Sequence, residues 1–321
     1  MGPTLGKDYS LPAMGALPDA VTVSGISGGS YAASQFHVIY SDLVKGAGLI
    51  IGGSYGDKPH EGETSYAEEG IELANEYAAE GLIDPLSNLE NDPVYIFSGG
   101  IDTTVPQIKQ RAQETFYENY NANLMWVDDP ELAHEIPSLS YVEGHWGHNL
   151  YDYDMPKDLL THVLSNIEFN PISTLNPSSA DWQNLGVLRR FNQHEFVDED
   201  AKPAGRMSGL AKNGYVYYPD ACVDGTVENC YVHMHLHGCM DNNQGMSKDS
   251  WINYGFVQYA ATNNIILLMP QAEVTYFPAN GYPCFKSGYI LDDEADRDTY
   301  LTNTGIQGKA FKAMIERVLE D

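Results

Sequence analysis

Basic residues are scarce in this chain of 321 amino acids, in which 17 Lys and Arg stand against 45 Asp and Glu, a formal net charge of −28. A surface of this sign repels phosphate backbones and anionic headgroups, so neither nucleic acid nor a membrane surface is an expected partner. The excess of acid predicts high solubility. Adaptation to a saline medium, which would screen the self-repulsion, is the alternative explanation.

Long apolar runs are also missing. No stretch of about 18 apolar residues occurs, so we expect no transmembrane helix. The first residues, MGPTLGKDYSLPAMGALPD, lack the basic start and apolar core of a signal peptide. These features predict either a cytoplasmic protein or a chain that starts after a removed leader.

A C-x-x-C motif is absent as well, which argues against a structural zinc site. The chain has 4 cysteines. Cys222 and Cys230 flank a short turn-like segment, a spacing that suits a disulfide closing a hairpin, and Cys239 and Cys284 remain as a longer-range pair. Two such disulfides favour an oxidising compartment, so we expect a secreted or periplasmic protein.

Strand-like and helix-like segments alternate along the chain. Buried strands are predicted at residues 20–24, 48–53, 94–99 and 139–142, and again in GYVYYP, CYVHMHLHG and NIILLMP. Helical periodicity follows most of the earlier strands. Because strands that alternate with helices form parallel sheets, we predict an α/β fold with a mostly parallel central sheet flanked by helices.

A G-x-S-x-G motif at residues 25–29, Gly-Ile-Ser-Gly-Gly, lies between the first strand and the first helix. The motif alone is common, but a strand before it and a helix after it are what a nucleophile elbow requires. Ser27 is therefore the predicted nucleophile. The helix that follows would offer backbone N–H groups to a developing oxyanion.

A serine nucleophile needs a base and a carboxylate that orients the base, in the chain order Ser, Asp or Glu, His for this fold. Asp102 follows the buried strand VYIFSG and is the predicted acid. Two histidines come after the next predicted strand. We prefer His148, which follows Gly147, as the base, and His145 remains the alternative.

Only about two dozen residues precede Ser27, too few for the strands that this fold normally places before its elbow. The strand-like segments after Gly214 can supply them, which predicts a circularly permuted sheet. The turn His237-Gly238-Cys239 at the end of CYVHMHLHG resembles the turn that supplies oxyanion donors in α/β-hydrolases.

Several segments together resemble the poly(3-hydroxybutyrate) depolymerases with a permuted catalytic domain. They are VSGISGGSYAASQFHVIYSDLVKGAGLIIGGSY, IFSGGIDTTV, LRRFNQHEF, NGYVYYPDAC, HMHLHGC and TNNIILLMPQ, in the family's order along nearly the whole chain. The resemblance implies a serine esterase that acts on a polyester or its oligomers through an acyl-enzyme and needs no cofactor. It implies a triad of Ser27, Asp102 and His148, with oxyanion donors from the backbone of Gly28 and Cys239.

The rim of the cleft departs from the family pattern. GGSYGDK lacks a cysteine that the family usually has, and FKSGY replaces a tryptophan-rich stretch after Cys284. Trp146 and Phe285 are the predicted substrate contacts, because a polyester offers apolar area and few hydrogen bonds. We expect residues 1–321 to form one catalytic domain, without a separate polymer-binding domain, that acts as a monomer.

Other substrates and functions fit parts of the sequence. Aromatic polyesters and feruloyl or acetyl esters are alternative substrates for the same triad. His233, His235 and His237 alternate on one strand and share a face, which would suit a metallohydrolase. A silent polymer-binding protein on a hydrolase scaffold is a further alternative, against which the complete set of triad residue types argues.

Overall fold

The structure is a computed structural model that describes residues 10–57, 67–138, 148–149, 153–167, 172, 174–198, 208–224, 226–241, 254–273, 284–285 and 299–321. Its main feature is a sheet of eight strands in the order β4-β3-β2-β1-β9-β10-β8-β7. The strands of this sheet are β1 (Val21–Ile26), β2 (Ala47–Ile50), β3 (Pro93–Gly99), β4 (Asn123–Asp129), β7 (Gly186–Asn192), β8 (Asn213–Pro219), β9 (Tyr231–Leu236) and β10 (Ile265–Met269). A short parallel pair, β5 (Ile136–Pro137) and β6 (His148–Asn149), lies outside it.

Strand direction changes only at one side of the sheet. From β4 through β1 to β10 all neighbours are parallel, whereas β8 is antiparallel to both β10 and β7. Every residue of β1, β2, β3, β9 and β10 is buried. Parallel strands covered on both faces take continuous apolar runs, which these segments have.

Helices cover both faces of the sheet. The helices are α1 (Gly28–Ile39), α2 (Ala67–Ala79), α3 (Gln107–Asn119), α4 (Met155–Val163), α5 (Phe256–Ala260) and α6 (Ile306–Leu319). One apolar cluster joins α1, α3 and α6 through Phe36, Phe116 and Phe311. A second cluster on the other face includes Leu159 of α4 and Phe256 of α5. The sheet is thus the middle layer of three, and the predicted α/β architecture is confirmed.

The order of the strands confirms the predicted permutation. The first four strands form one half of the sheet and β7 to β10 form the other, and the halves meet where β1 pairs with β9. If β7 to β10 preceded β1, then β9 would be the third strand. The loop after the third strand supplies an oxyanion donor in α/β-hydrolases, and here that loop begins at His237.

Both predicted disulfides are present, Cys222–Cys230 and Cys239–Cys284. The first joins cysteines 8 positions apart beside β9, and the second joins cysteines 45 positions apart and connects the loop after β9 to residues 284–285.

Among the described residues, none of the helices combines the length and the apolar character needed to cross a bilayer.

Candidate active site

Ser27 stands at the turn between β1 and α1 with a strained backbone. Its φ of 52° and ψ of −122° are unfavourable for a residue with a side chain, which is the signature of a nucleophile elbow. The glycines of the motif make this turn possible. A Cβ atom at Gly25 would lie 2.1 Å from the carbonyl oxygen of Gly29, and one at Gly29 would lie 2.2 Å from that of Leu236.

The imidazole of His134 bridges the serine and the acid. Its Nε2 lies 3.0 Å from Ser27 Oγ, and its Nδ1 lies 2.7 Å from Asp102 Oδ2. A carboxylate can only accept, so Nδ1–H donates to Asp102 and Nε2 is free to accept the serine proton. These are the contacts of a Ser-His-Asp triad.

Asp102 is held in place from its other oxygen. Its Oδ1 accepts hydrogen bonds from the backbone N–H of Thr104 at 2.8 Å and of Val105 at 2.9 Å. The side chain of Asp102 is fully buried, whereas that of His134 is 13% exposed. Both oxygens of the Asp102 carboxylate therefore accept hydrogen bonds. The backbone bonds to Oδ1 orient the carboxylate so that Oδ2 faces His134 Nδ1.

The loop that carries His134 is attached to the loop that carries Asp102. Gly100 N–H donates to the carbonyl of Asp129 at 2.7 Å, and Ile101 N–H donates to that of Leu132 at 3.1 Å. Leu132 is itself buried. These backbone hydrogen bonds hold the loop of His134 next to the loop of Asp102.

The prediction of His148 as the base is corrected to His134. His148 begins β6, where its backbone pairs with Ile136, and its side chain lies outside the described part of the structure, as does all of His145. His134 does follow the next strand along the chain after the strand that precedes Asp102. That strand is β4, in which Asn and Asp residues interrupt the apolar run expected of a buried strand. The strand predicted at residues 139–142 lies outside the described residues.

Gly28 and Cys239, the two predicted oxyanion donors, lie close to each other although they come from different parts of the chain. A Cβ atom at Gly28 would lie 2.6 Å from Cys239 Sγ and 3.8 Å from Cys239 N, and one at Gly238 would lie 3.6 Å from Ser27 Cβ. Their position suits the predicted oxyanion hole.

Of the two predicted substrate contacts, Trp146 and Phe285, the structure describes only Phe285. Trp146 lies outside the described residues. Phe285 is 0% exposed and packs against the rings of His237, at 4.5 Å between centroids, and Phe311, at 5.7 Å. The prediction that Phe285 touches substrate is therefore wrong, because its ring is part of the core beneath the loop after β9.

The histidines of β9 are engaged in hydrogen bonds within the sheet. His233 is hydrogen-bonded through Nδ1 to Thr22 Oγ1 at 2.8 Å and through Nε2 to Ser24 Oγ at 2.7 Å. His235 Nδ1 bonds to the same serine oxygen at 2.8 Å. Among the residues that the structure describes, no group of three or more His, Cys, Asp or Glu side chains could hold a metal ion.

Burial lowers the pKa of His233 to about 3 and that of His237 to about 4, and it takes the pKa of His235 well below 6.5. The folded protein thus resists protonation at these sites, whereas the unfolded chain takes up protons once the pH falls below about 6.5. Their contribution to stability is complete above pH 6.5 and is lost as the pH falls toward the folded pKa values.

Acidification from pH 6.5 to 5.5 is therefore expected to lower the free energy of unfolding by about 1 kcal/mol for each buried histidine. Urea unfolding at several pH values measures this slope, in a range where most carboxylates have not yet taken up protons. The variant His233→Asn should have a slope smaller by one histidine's share. An equal slope in the two proteins would contradict the assignment.

Two known proteins are similar to this chain along most of its length. The poly(3-hydroxybutyrate) depolymerase of Delftia acidovorans is 31% identical over 96% of this chain, which spans 61% of that relative's length. The polyhydroxybutyrate depolymerase of Talaromyces funiculosus is 28% identical, with 83% of this chain and 78% of the relative covered. No family model matches the chain.

Solved structures share the fold. The PHB depolymerase from Penicillium funiculosum superposes with a TM-score of 0.76 at 23% identity, and 97% of this chain and 99% of that chain are covered. A serine-to-alanine variant of a PHB depolymerase, complexed with an R3HB trimer, gives a TM-score of 0.75 at 24% identity with the same coverage. The chain is thus a relative of the polyhydroxybutyrate depolymerases and has a permuted α/β-hydrolase fold.

Proposed function

We propose that the chain is a serine esterase that hydrolyses the ester bonds of poly(3-hydroxybutyrate) or of its oligomers. The observation that carries the proposal is the bridge formed by His134 between Ser27 and Asp102. The names of the relatives support the substrate class. The proposal concerns the activity of the whole protein. This chain corresponds to 61% of the length of the Delftia relative.

The first half of the reaction forms the acyl-enzyme. His134 Nε2 takes the proton of Ser27 Oγ as the oxygen attacks the ester carbonyl, and Asp102 stabilises the imidazolium that results. The N–H groups of Gly28 and Cys239 receive the negative charge on the carbonyl oxygen. When the tetrahedral intermediate collapses, the ester C–O bond breaks and His134 returns its proton to the leaving alcohol, the hydroxyl end of one product.

The second half releases the acid. A water molecule gives a proton to His134 Nε2 and attacks the acyl carbonyl, and the same two N–H groups hold the second oxyanion. Collapse breaks the bond to Ser27 Oγ, which recovers its proton from His134. The products are a hydroxyl-terminated fragment and a carboxylic acid, and no cofactor takes part.

The place of action in this proposal is outside the cytoplasm. The disulfides Cys222–Cys230 and Cys239–Cys284 support it, because such bonds persist in oxidising compartments. The second disulfide connects Cys239, a proposed oxyanion donor, to Cys284. An oxidising medium would therefore also stabilise the turn at the active site. We further propose that the chain acts as a monomer.

Product analysis on polymer films tests the substrate class. Films of poly(3-hydroxybutyrate) and of an aromatic polyester are incubated with the protein beside short p-nitrophenyl esters, and soluble products are identified by mass spectrometry. We expect hydroxybutyrate monomers or oligomers from the first film. Release of products from the aromatic film alone, or turnover of the small esters alone, would reject the substrate and leave only a general esterase.

Inhibition separates the esterase from the other functions that the sequence allowed. A serine-directed phosphonate should label Ser27 and stop turnover, whereas a chelator should change nothing. Chelator-sensitive turnover would favour a metallohydrolase. A folded protein that binds the film without labelling or turnover would be a polymer-binding protein.

A further inference from the structure

Lys109 and Asp57 form a buried ion pair that the proposed mechanism does not use. Lys109 Nζ lies 2.8 Å from Asp57 Oδ1, and the two side chains are 9% and 0% exposed. Lysine and aspartate are almost never buried to this extent unless they are paired, because each gives up its hydration. Such a pair adds little stability compared with apolar residues of the same volume. A role in the geometry of the two segments that it joins is therefore the better explanation.

Asp57 belongs to the loop after β2, and this loop is held by other parts of the fold. The N–H of Ile51 donates to the carbonyl of Phe97 at 2.9 Å, which ties the start of the loop to β3. The hydroxyl of Tyr55 donates to the carbonyl of Leu301 at 2.5 Å. Tyr55 and Asp57 are both fully buried. The loop is therefore a fixed support against which another segment can be held.

Lys109 lies in the first turn of α3, the helix that follows the acid loop, residues 100–106. The next residue of this turn bonds to the acid loop. Gln110 Nε2 donates to the carbonyl of Val105 at 2.8 Å, and the N–H of Val105 donates to Asp102 Oδ1 at 2.9 Å. A shift of the first turn of α3 would therefore move a peptide that orients the Asp102 carboxylate.

A second side chain of α3 contacts the loop after β2. Gln113 Nε2 donates to the carbonyl of Gly53 at 2.8 Å, and Gln113 is fully buried. Residues four apart lie on the same face of a helix, so Gln113 and Lys109 face this loop together. The helix is thus attached to the loop by an ion pair in its first turn and by an amide one turn later.

We propose that Lys109 is a positioning residue for the catalytic acid. Through its ion pair with Asp57 it holds the first turn of α3, and with that turn the acid loop. Asp102 Oδ2 then stays 2.7 Å from His134 Nδ1. The inference rests on the proposed function, because the bond between Asp102 and His134 matters only to an enzyme that uses the triad.

A pair without charge separates positioning from stability. The double variant Asp57→Asn, Lys109→Met removes both charges and leaves neither unpaired. Because replacing a buried ion pair by uncharged groups of similar volume often costs no stability, the midpoint of urea unfolding should stay near that of the wild type. The kcat for a soluble ester should nevertheless fall by about 10- to 100-fold, the effect of a misplaced catalytic group. Lys109→Arg keeps the charge and should keep most of the activity.

The proton between His134 Nδ1 and Asp102 gives a direct readout. A hydrogen bond to a carboxylate moves the NMR resonance of an imidazole N–H far downfield, so this resonance reports whether the two groups meet. In the double variant it should move upfield or be lost through exchange with water. Its position depends neither on turnover nor on the folded fraction. The single variant Asp57→Asn, which keeps the shape of the side chain, should show a smaller change in the same direction.

Lys312→Met, Glu316→Gln is the matched control, because it neutralises an exposed ion pair of 3.1 Å on α6. Its kcat and its resonance should equal those of the wild type. An unchanged resonance in the double variant would overturn the inference, whatever happens to kcat. A double variant that does not fold, together with an unchanged resonance in Asp57→Asn, would overturn it as well and leave a role in stability. If the wild type shows the resonance but hydrolyses no ester, it is the proposed function that fails.

Discussion

His134→Ala is expected to lower kcat for ester hydrolysis by about five to six orders of magnitude, and His148→Ala by less than about tenfold. His134 Nε2 is 3.0 Å from Ser27 Oγ and its Nδ1 is 2.7 Å from Asp102, so its removal leaves the serine without a base. The acid and the oxyanion donors would then supply only a residual acceleration over water.

Turnover of a soluble p-nitrophenyl ester, with circular dichroism as the check on folding, measures both variants. His148 is the base that the sequence predicts and His134 is the histidine that bridges Ser27 and Asp102 in the structure, so the two variants are a matched test. Loss of activity in His148→Ala with a fully active His134→Ala would reverse the assignment. Burst kinetics in each variant would show whether the acyl-enzyme still forms.

Ser27→Ala is expected to remove turnover to the same extent, about a millionfold, while the fold is kept. Alanine keeps the Cβ atom and removes only the hydroxyl of a residue that is not fully buried, so the packing of α1 on the sheet should not be disturbed. The phosphonate label should be absent from this variant. Ser87→Ala, at an exposed serine, is the control and should be labelled and active like the wild type.

The double variant Ser27→Ala, His134→Ala sharpens this result. Residues that act as a unit are not additive, so the double variant should be no slower than either single variant. Losses that multiply instead would mean that the two side chains act independently. Substantial turnover in Ser27→Ala alone would reject the nucleophile.

The elbow and the acid could be predicted because their signals are local. Ser27 lies in a glycine-rich turn between a buried strand and a helix, and Asp102 directly follows a run of apolar residues. The proposed base, His134, could not be found in this way. Its loop follows β4, an edge strand whose residues are mostly half-buried, and edge strands lack the continuous apolar run of central ones.

The roles of Phe285 and the β9 histidines depend on long-range register, which no local pattern encodes. Thr22 lies opposite His233 and Ser24 lies opposite His235 only because β1 pairs with β9 in that alignment. The alternation of side chains along β9 predicts that His233 and His235 share a face. It does not predict their hydrogen-bond partners, which belong to β1. For Phe285 the sequence shows only an aromatic residue next to Cys284. Its packing against His237 depends on the fold and on the disulfide Cys239–Cys284.

The pairing of β1 with β9 has a consequence for folding kinetics. It joins residues about 210 positions apart, as in the bond between Thr22 and His233. Contacts of such separation close a large loop and form slowly. The elbow and the acid belong to one continuous segment and can form early, but the oxyanion turn meets Ser27 only after this closure. In refolding, recovery of esterase activity should therefore lag behind recovery of helical structure, and the enzyme's own turnover reports the last step of its assembly.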